Sequence, residues 1–293
     1  VGSEMCIRDR NKHCHFSLYY TMNMKHATLR PLRRLSLGLA LMMGAQISAN
    51  PIETNTITYQ MANDYAECEI LVDAPVDTES DIAWNLNNFI HENLQTVKLG
   101  VSDNVASPIT QAMVDQCGKK RMAEMMADIK ETYGGEIPNA PHMYKTEIRK
   151  EFDNNNLVTY TATIFTYDGG AHGMTQSTSV TYSKDLVMRL SYDNAFSPEG
   201  LKALKQALRE GLKKYFEVTT DQELIGMLNG VDDPYDLPLP GGDPFITQQG
   251  LVLRYAPYEI APYSAGMPTV TIPWTKIRSL LRPIVADDFV PAK

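Results

Sequence analysis

Two short segments of the chain carry the side chains best suited to contact a ligand. The first is Tyr167–Gly173, which reads Tyr-Asp-Gly-Gly-Ala-His-Gly. Adjacent glycines allow a tight turn with positive φ, and an imidazole beside exposed backbone groups could form a ligand-contact patch. The ring of His172 could equally bond to its own backbone as part of the turn. The candidate ligand-binding residues here are Tyr167, Asp168, Gly169, Gly170 and His172.

The second segment is Tyr258–Gly266, which places two tyrosines and a carboxylate close together in Tyr258, Glu259 and Tyr263. Such a group could bind a sugar by ring stacking and hydrogen bonding, or it could fasten a loop onto the core. A general acid role for Glu259 would need a second carboxylate about 5–10 Å away. If the two segments are adjacent and exposed, we expect a binding site. If they are adjacent and buried, we expect them to fasten a loop onto the core.

Other catalytic and metal-binding patterns are weak. His91, His142 and His172 share no metal-ligand spacing with another His, Asp or Glu, so the sequence predicts no metal site and no cofactor. His91 stands beside Glu92 and is expected to be a solvated helix residue. No G-x-S-x-G or S-x-x-K nucleophile motif follows residue 50. We therefore assign no catalytic residue.

The N-terminal region has the pattern of a secretory signal peptide. Four basic residues follow Met24, then an apolar run extends from Leu35 to Ile47 and small residues end at Ala49. The run is shorter than the roughly 20 residues that span a bilayer. We expect residues 24–49 to be a signal peptide and residues 1–23 to be non-native or untranslated. The protein is then periplasmic or secreted, with no membrane contact after cleavage.

The exported part, 50–293, is strongly acidic. Residues 1–49 hold seven Lys or Arg and two Asp or Glu, which leaves 20 basic and 33 acidic residues and a net charge of −13. A negative net charge of this size repels nucleic acid and anionic lipid and favours cationic partners. We expect no nucleic-acid partner.

Two cysteines remain after residue 50, Cys68 and Cys117. A pair of cysteines in an oxidising compartment most often forms a disulfide, which would close a loop of about 50 residues and contribute about 4 kcal/mol. The alternative is two unpaired buried thiols. We expect the disulfide.

Hydrophobic periodicity predicts alternating helices and strands. Period-two runs at 158–164 and 174–182 flank the glycine turn and predict a hairpin. Ser197-Pro198-Glu199 begins a helix with an apolar stripe at positions 201, 204, 208, 212 and 215. The order of elements predicts an α+β fold in which an antiparallel sheet packs against helices and one disulfide is formed.

The two segments together resemble the RsiV-like and PdaC-like extracytoplasmic domain family. The turn Tyr167–Gly173 is similar to that family's Tyr-x-Gly-Gly-Ala-His-Gly turn. The stretch Gly250–Tyr255 with Tyr258–Gly266 and Val270–Pro273 is similar to its C-terminal signature. The resemblance implies a PdaC-like α+β domain over 50–190 and an RsiV-like α+β domain over 191–293, which could pack as one unit.

The resemblance also implies a function at the cell envelope. RsiV-like domains occur in an anti-sigma factor that senses lysozyme, and related domains accompany a peptidoglycan deacetylase. The stretch between Met24 and Leu35 is too short for a sigma-binding segment, and no separate deacetylase domain is expected. We therefore expect a non-catalytic envelope protein that recognises a cationic lysozyme-like enzyme or a peptidoglycan glycan. The alternatives are a cell-wall glycan-active enzyme and a structural envelope protein without a small ligand.

Overall fold

The computed structural model describes residues 51–287 and 289. The predicted signal peptide, 24–49, and residues 1–23 lie outside them. Six strands form one sheet in the order of the chain. They are β1 Thr54–Ala62, β2 Ala66–Pro75, β3 His142–Asp153, β4 Leu157–Tyr167, β5 Met174–Ser183 and β6 Met188–Arg189.

Two helices, α1 Asp81–Leu94 and α2 Gln111–Tyr133, connect β2 to β3 and pack on one face of this sheet. Ser80 and Thr110 cap them by accepting backbone N–H groups. Because two helices intervene, β3 lies parallel to β2, as a crossover connection requires. The other pairs in this sheet are antiparallel, so the sheet is mixed rather than wholly antiparallel as the sequence predicted.

The C-terminal part builds a second hydrophobic cluster around helix α4. After α3 Tyr192–Ala195, helix α4 Pro198–Tyr215 buries three residues of the predicted stripe, Leu204, Leu208 and Leu212. Leu201 is half-buried and Tyr215 is exposed. The later elements are α5 Asp221–Met227, β7 Phe245–Thr247, β8 Gly250–Arg254, a 3₁₀ turn Tyr263–Ala265, β9 Thr269–Pro273, α6 Trp274–Ile277 and α7 Pro283–Ala286. Strands β7, β8 and β9 form an antiparallel three-stranded sheet.

The small sheet joins the large one at β5. The Arg254 guanidinium donates from Nη1 to the Ser177 hydroxyl at 2.9 Å, and the Ile246 backbone N–H donates to the Thr181 hydroxyl at 2.9 Å. These bonds fix the loops that follow β8 relative to the hairpin of β4 and β5. The predicted division into domains at 50–190 and 191–293 stays a prediction.

The expected disulfide is wrong. Cys68 on β2 and Cys117 on α2 are both free thiols, fully buried in one hydrophobic cluster. One belongs to the sheet layer and the other to the helix layer. Packed layers lie about 10 Å apart, whereas a disulfide needs Cα atoms about 4.4–6.8 Å apart. Sequence spacing carries no information on that separation.

Burial makes both thiols unreactive. It raises the pKa of the Cys68 thiol to about 12 and that of Cys117 to about 11, so both remain protonated and act as small apolar core residues.

Because the two cysteines are free, cysteine use no longer supports export, and the expectation of export rests on the N-terminal pattern. Over 51–287 and 289, no helix has the length and apolar character to cross a bilayer.

Candidate functional site

The glycine turn connects β4 to β5 and needs glycine for two separate reasons. Gly169 and Gly170 have φ of +87° and +96°, which side chains other than glycine rarely adopt. At Gly173 the reason is space, because a Cβ atom there would lie 2.4 Å from the Phe165 ring. Within the turn, the Tyr167 hydroxyl donates to the Gly170 carbonyl at 3.2 Å.

The second segment, Tyr258–Gly266, is held by side chains that bond to backbone. The Glu259 carboxylate accepts the N–H of Gly241 at 2.5 Å and that of Ala256 at 2.6 Å. The Tyr215 hydroxyl donates to the Ala265 carbonyl at 2.6 Å. These bonds hold the loop between β8 and β9 from both ends.

The structure brings the two segments into contact. The Tyr263 hydroxyl donates to the Gly173 carbonyl at 2.5 Å, and His172 Nδ1 donates to the same carbonyl at 2.9 Å. The rings of His172 and Tyr263 stack with centroids 4.0 Å apart and planes at 16°. Tyr258 continues the contact, with its ring centroid 5.4 Å from that of Tyr263. We call these three rings, His172, Tyr263 and Tyr258, the aromatic row.

The aromatic row faces solvent. His172 is exposed, Tyr258 is 52% exposed and Tyr263 is half-buried. A carbonyl oxygen can only accept, so the bond to Gly173 assigns the ring proton of neutral His172 to Nδ1. Within the described part of the chain, Nε2 then has no hydrogen-bond partner and is left as an acceptor. Exposed rings with unused polar atoms fit contact with a ligand better than a buried lock.

The predicted site residues therefore divide into two sets. His172, Tyr258 and Tyr263 meet in the aromatic row. Tyr167, Asp168, Gly169 and Gly170 shape the turn beneath it, whereas both oxygens of Glu259 are bonded to backbone N–H groups. That carboxylate is used to hold the loop.

The sequence missed two residues under the turn. The rings of Tyr133 at the end of α2 and His142 at the start of β3 meet edge to face, with centroids 5.8 Å apart. A Cβ atom on Gly169 would lie 2.7 Å from the Tyr133 hydroxyl and 3.7 Å from His142 Nε2. Gly169 is thus required for its positive φ, and a side chain there would also displace the hydroxyl of Tyr133, a contact that only the folded chain reveals.

The expectation that His91 is solvated is wrong, because the residue is 1% exposed. Its Nε2–H donates to the Ser107 carbonyl at 2.9 Å, and Nδ1 accepts from the Thr96 hydroxyl at 2.7 Å. Burial lowers the pKa of His91 and outweighs the opposing effect of the bond to Ser107. His91 is a neutral structural residue.

No cluster of three or more His, Cys, Asp or Glu side chains is placed to hold a metal ion within residues 51–287 and 289. Of the two acidic residues in the predicted site, Glu259 accepts from the backbone N–H groups of Gly241 and Ala256, and Asp168 is an exposed residue of the turn. The site as described offers aromatic faces, one imidazole acceptor and exposed backbone.

Comparison with known proteins relates both segments to families. Residues 61–175 match the family model described as Deacetylase PdaC, and residues 193–275 match the model described as Protein of unknown function (DUF3298). No curated protein matches the chain. The aromatic row takes His172 from the first matched segment and both tyrosines from the second.

Two solved structures share the fold. A DUF3298 family member from Bacteroides fragilis has a TM-score of 0.60 at 19% identity, and covers 81% of this chain and 97% of its own. A DUF3298 family protein from Pseudomonas aeruginosa has a TM-score of 0.57 at 14% identity, with 83% and 99% covered. At these identities the likeness concerns the fold alone. Within the chain, a segment that matches the PdaC model is thus followed by a segment that matches the DUF3298 model.

Proposed function

We propose that this chain is an exported, non-catalytic binding protein of the cell envelope that recognises the sugar chain of peptidoglycan. The observation that carries the proposal is the exposed aromatic row, in which Tyr263 aligns His172 and Tyr258. Aromatic rings offer a broad apolar face with a polar group at the edge. A pyranose ring offers the complementary combination of apolar C–H face and equatorial hydroxyls.

The state of Glu259 favours binding over catalysis. A glycan-active enzyme would need an available carboxyl group near the imidazole, and this carboxylate already accepts two backbone N–H groups. Moving it would break both of these charge-assisted hydrogen bonds, which hold the loop in place. The geometry thus supports a ligand-contact surface with His172 as a hydrogen-bond acceptor.

Calorimetric titration of the full chain with the tetramer of β-1,4-linked N-acetylglucosamine tests the proposal. We expect saturable binding, and Tyr258→Ala should weaken it about three- to tenfold, because a ring contact contributes ~0.5–1.5 kcal/mol. The matched control is Tyr235→Ala. Tyr235 is 69% exposed but packs on Arg209 of α4 rather than in the row. No binding, or equal losses in the two variants, would remove the glycan proposal.

The second candidate ligand is a cationic lysozyme-like enzyme, which the resemblance of the C-terminal segment to RsiV-like domains implies. The net charge of −13 over residues 50–293 favours it, since opposite charge steers encounter and the effect weakens with salt. Calorimetry of the full chain with lysozyme at two salt concentrations tests this. The absence of binding heat at both salt concentrations would exclude lysozyme as the ligand. If neither lysozyme nor the sugar tetramer binds, the result would favour a structural envelope protein.

Export is proposed from the signal-peptide pattern of residues 24–49. Cell fractionation of the full chain with a reporter fused after Lys293 tests it. We expect the reporter in the periplasm or the medium. A reporter retained in the cytosol would remove the envelope as the site of action.

A further inference from the structure

A polar groove crosses the open face of the six-stranded sheet, opposite the face covered by α1 and α2. Its walls are two neighbouring rows of side chains that run across strands β1 to β4. Strand register aligns the first row as Gln60, Glu69, Lys145 and Phe165, and the second as Thr58, Leu71, Glu147 and Thr163. Three strand spacings of about 4.8 Å give the groove a length of about 14 Å.

The groove has the size and the chemistry of a sugar site. Its volume is about 530 Å³, within the usual range for small-ligand sites. Its side chains are hydroxyls, an amide, charged groups, one leucine and one phenylalanine ring. A protein-docking surface would need a larger apolar centre.

The polar side chains of the groove are held in place by one another. Lys145 Nζ lies 2.9 Å from Glu67 and 3.3 Å from Glu69, and Gln60 Nε2 donates to Glu69 at 2.9 Å. The bond to Glu67 raises the pKa of Lys145 and keeps its ammonium charged. Because the carboxylates outnumber this ammonium, the groove suits uncharged sugars better than acidic ones.

The groove leads to the aromatic row through Phe165. This ring ends the first row of groove side chains and lies against Gly173, whose carbonyl accepts from both His172 and Tyr263. A side chain at position 173 would occupy the place where the Phe165 ring now meets the turn. The groove and the aromatic row, which both have side chains suited to a sugar, therefore meet at Gly173.

We propose that the groove is a second sugar-binding subsite, and that the protein binds the interior of an uncharged N-acetylated glycan chain that spans the groove and the aromatic row. The inference rests on the proposed function of the aromatic row. It adds that affinity depends on chain length, because a short oligomer fills the aromatic row alone and a longer one reaches Lys145 and Thr163.

The test compares the dimer and the hexamer of β-1,4-linked N-acetylglucosamine by calorimetry on the full chain. We expect the hexamer to bind at least tenfold more tightly than the dimer. Lys145→Gln should weaken the hexamer about fivefold and leave the dimer unchanged. Thr163→Val, a milder change, should act in the same direction, and Lys202→Gln on the exposed side of α4 serves as the control.

The outcomes separate the inference from the proposed function. If Tyr258→Ala weakens the dimer but the hexamer binds no more tightly, the groove is not a subsite and the aromatic row stands. If Lys145→Gln weakens dimer and hexamer equally, Lys145 acts on the structure and the inference fails. If neither oligomer binds, the proposed function fails and the groove proposal fails with it.

Discussion

Two histidines of this chain, His91 and His172, lie in opposite surroundings. His91 is buried, and both ring nitrogens are bonded, to Thr96 and to Ser107. His172 is exposed, and its one bonded nitrogen, Nδ1, holds it against Gly173 while its ring stacks on Tyr263. The first imidazole is fully used by the fold. The second keeps an acceptor and a ring face for another molecule.

The contrast shows what separates a structural polar residue from a binding one. Neither residue has a metal-binding partner in sequence. What differs is that both ring nitrogens of His91 are bonded inside the protein, whereas Nε2 of His172 has no partner among the described residues and lies where water or a ligand can reach it. Variants at and around the two histidines should therefore separate stability from ligand binding.

The largest effect on stability is expected for His91→Ala. It removes two buried hydrogen bonds, leaves Thr96 and Ser107 unpaired and opens a cavity, so the free energy of unfolding should fall by about 3 kcal/mol. Urea denaturation measures this, with His172→Ala as the matched variant, whose cost should stay below about 0.5 kcal/mol. Equal costs at the two positions would contradict the contrast.

A smaller loss, about 1–3 kcal/mol, is expected for Gly173→Ala, because the new Cβ would meet the Phe165 ring at 2.4 Å and the Thr166 carbonyl oxygen at 2.7 Å. Glycan binding should weaken as well, since the carbonyl that orients His172 and Tyr263 would move. Gly226→Ala in α5, where a Cβ meets open space, is the control and should not destabilise. A Gly173→Ala protein with unchanged stability and affinity would show that the carbonyl does not position the rings.

Tyr263→Phe should cost about 1 kcal/mol by removing one hydrogen bond. The informative comparison is with Tyr215→Phe, which removes a similar bond to the same turn, at Ala265. We expect similar thermal stabilities and a loss of glycan affinity in Tyr263→Phe alone. An equal loss of affinity in both variants would mean that the affinity depends on the rigidity of the loop rather than on the position of the rings in the aromatic row.

A pH dependence of stability should follow from His91. Burial holds its pKa in the folded state below the unfolded value of about 6.5, so the unfolded chain takes up a proton first as the pH falls. Stability should therefore be constant above about pH 6.5 and decrease below it as the pH approaches the lowered folded pKa. Denaturation of wild type and His91→Gln between pH 5 and 8 measures this, and the decrease should be smaller in the variant. An unchanged pH profile in His91→Gln would place the titrating group elsewhere.

The smallest effect on stability, and the clearest on binding, is expected for His172→Ala. The ring is exposed, so unfolding should change by less than about 0.5 kcal/mol. Affinity for the sugar tetramer should fall about three- to tenfold through loss of a stacking face. A stable His172→Ala protein with full affinity would remove the imidazole from the site.

Local periodicity predicted the parts of the fold that depend on neighbours in sequence. The hairpin of β4 and β5 and the apolar stripe of α4 are of this kind. Relations between distant residues were not accessible. Ser107, which accepts from His91, lies 16 residues away, and the distance between Cys68 and Cys117 depends on how a helix layer packs on a sheet.

The aromatic row illustrates the same limit. Sequence singled out both segments as unusual, yet the bond from Tyr263 to Gly173 joins residues 90 positions apart. The sequence did not single out Phe165, because the residue fits the period-two pattern of an ordinary strand. Only the strand register places it beside Lys145. Glu259 was selected for its chemistry, but its partners Gly241 and Ala256 are backbone groups that no motif reveals.

The most direct test of the account is to follow the ring resonances of His172, Tyr258, Tyr263 and Tyr235 by NMR while the sugar tetramer is added to the full chain. The account predicts saturable shifts at the three rings of the aromatic row and none at Tyr235. Binding that shifts other residues and leaves those three rings unchanged would contradict it.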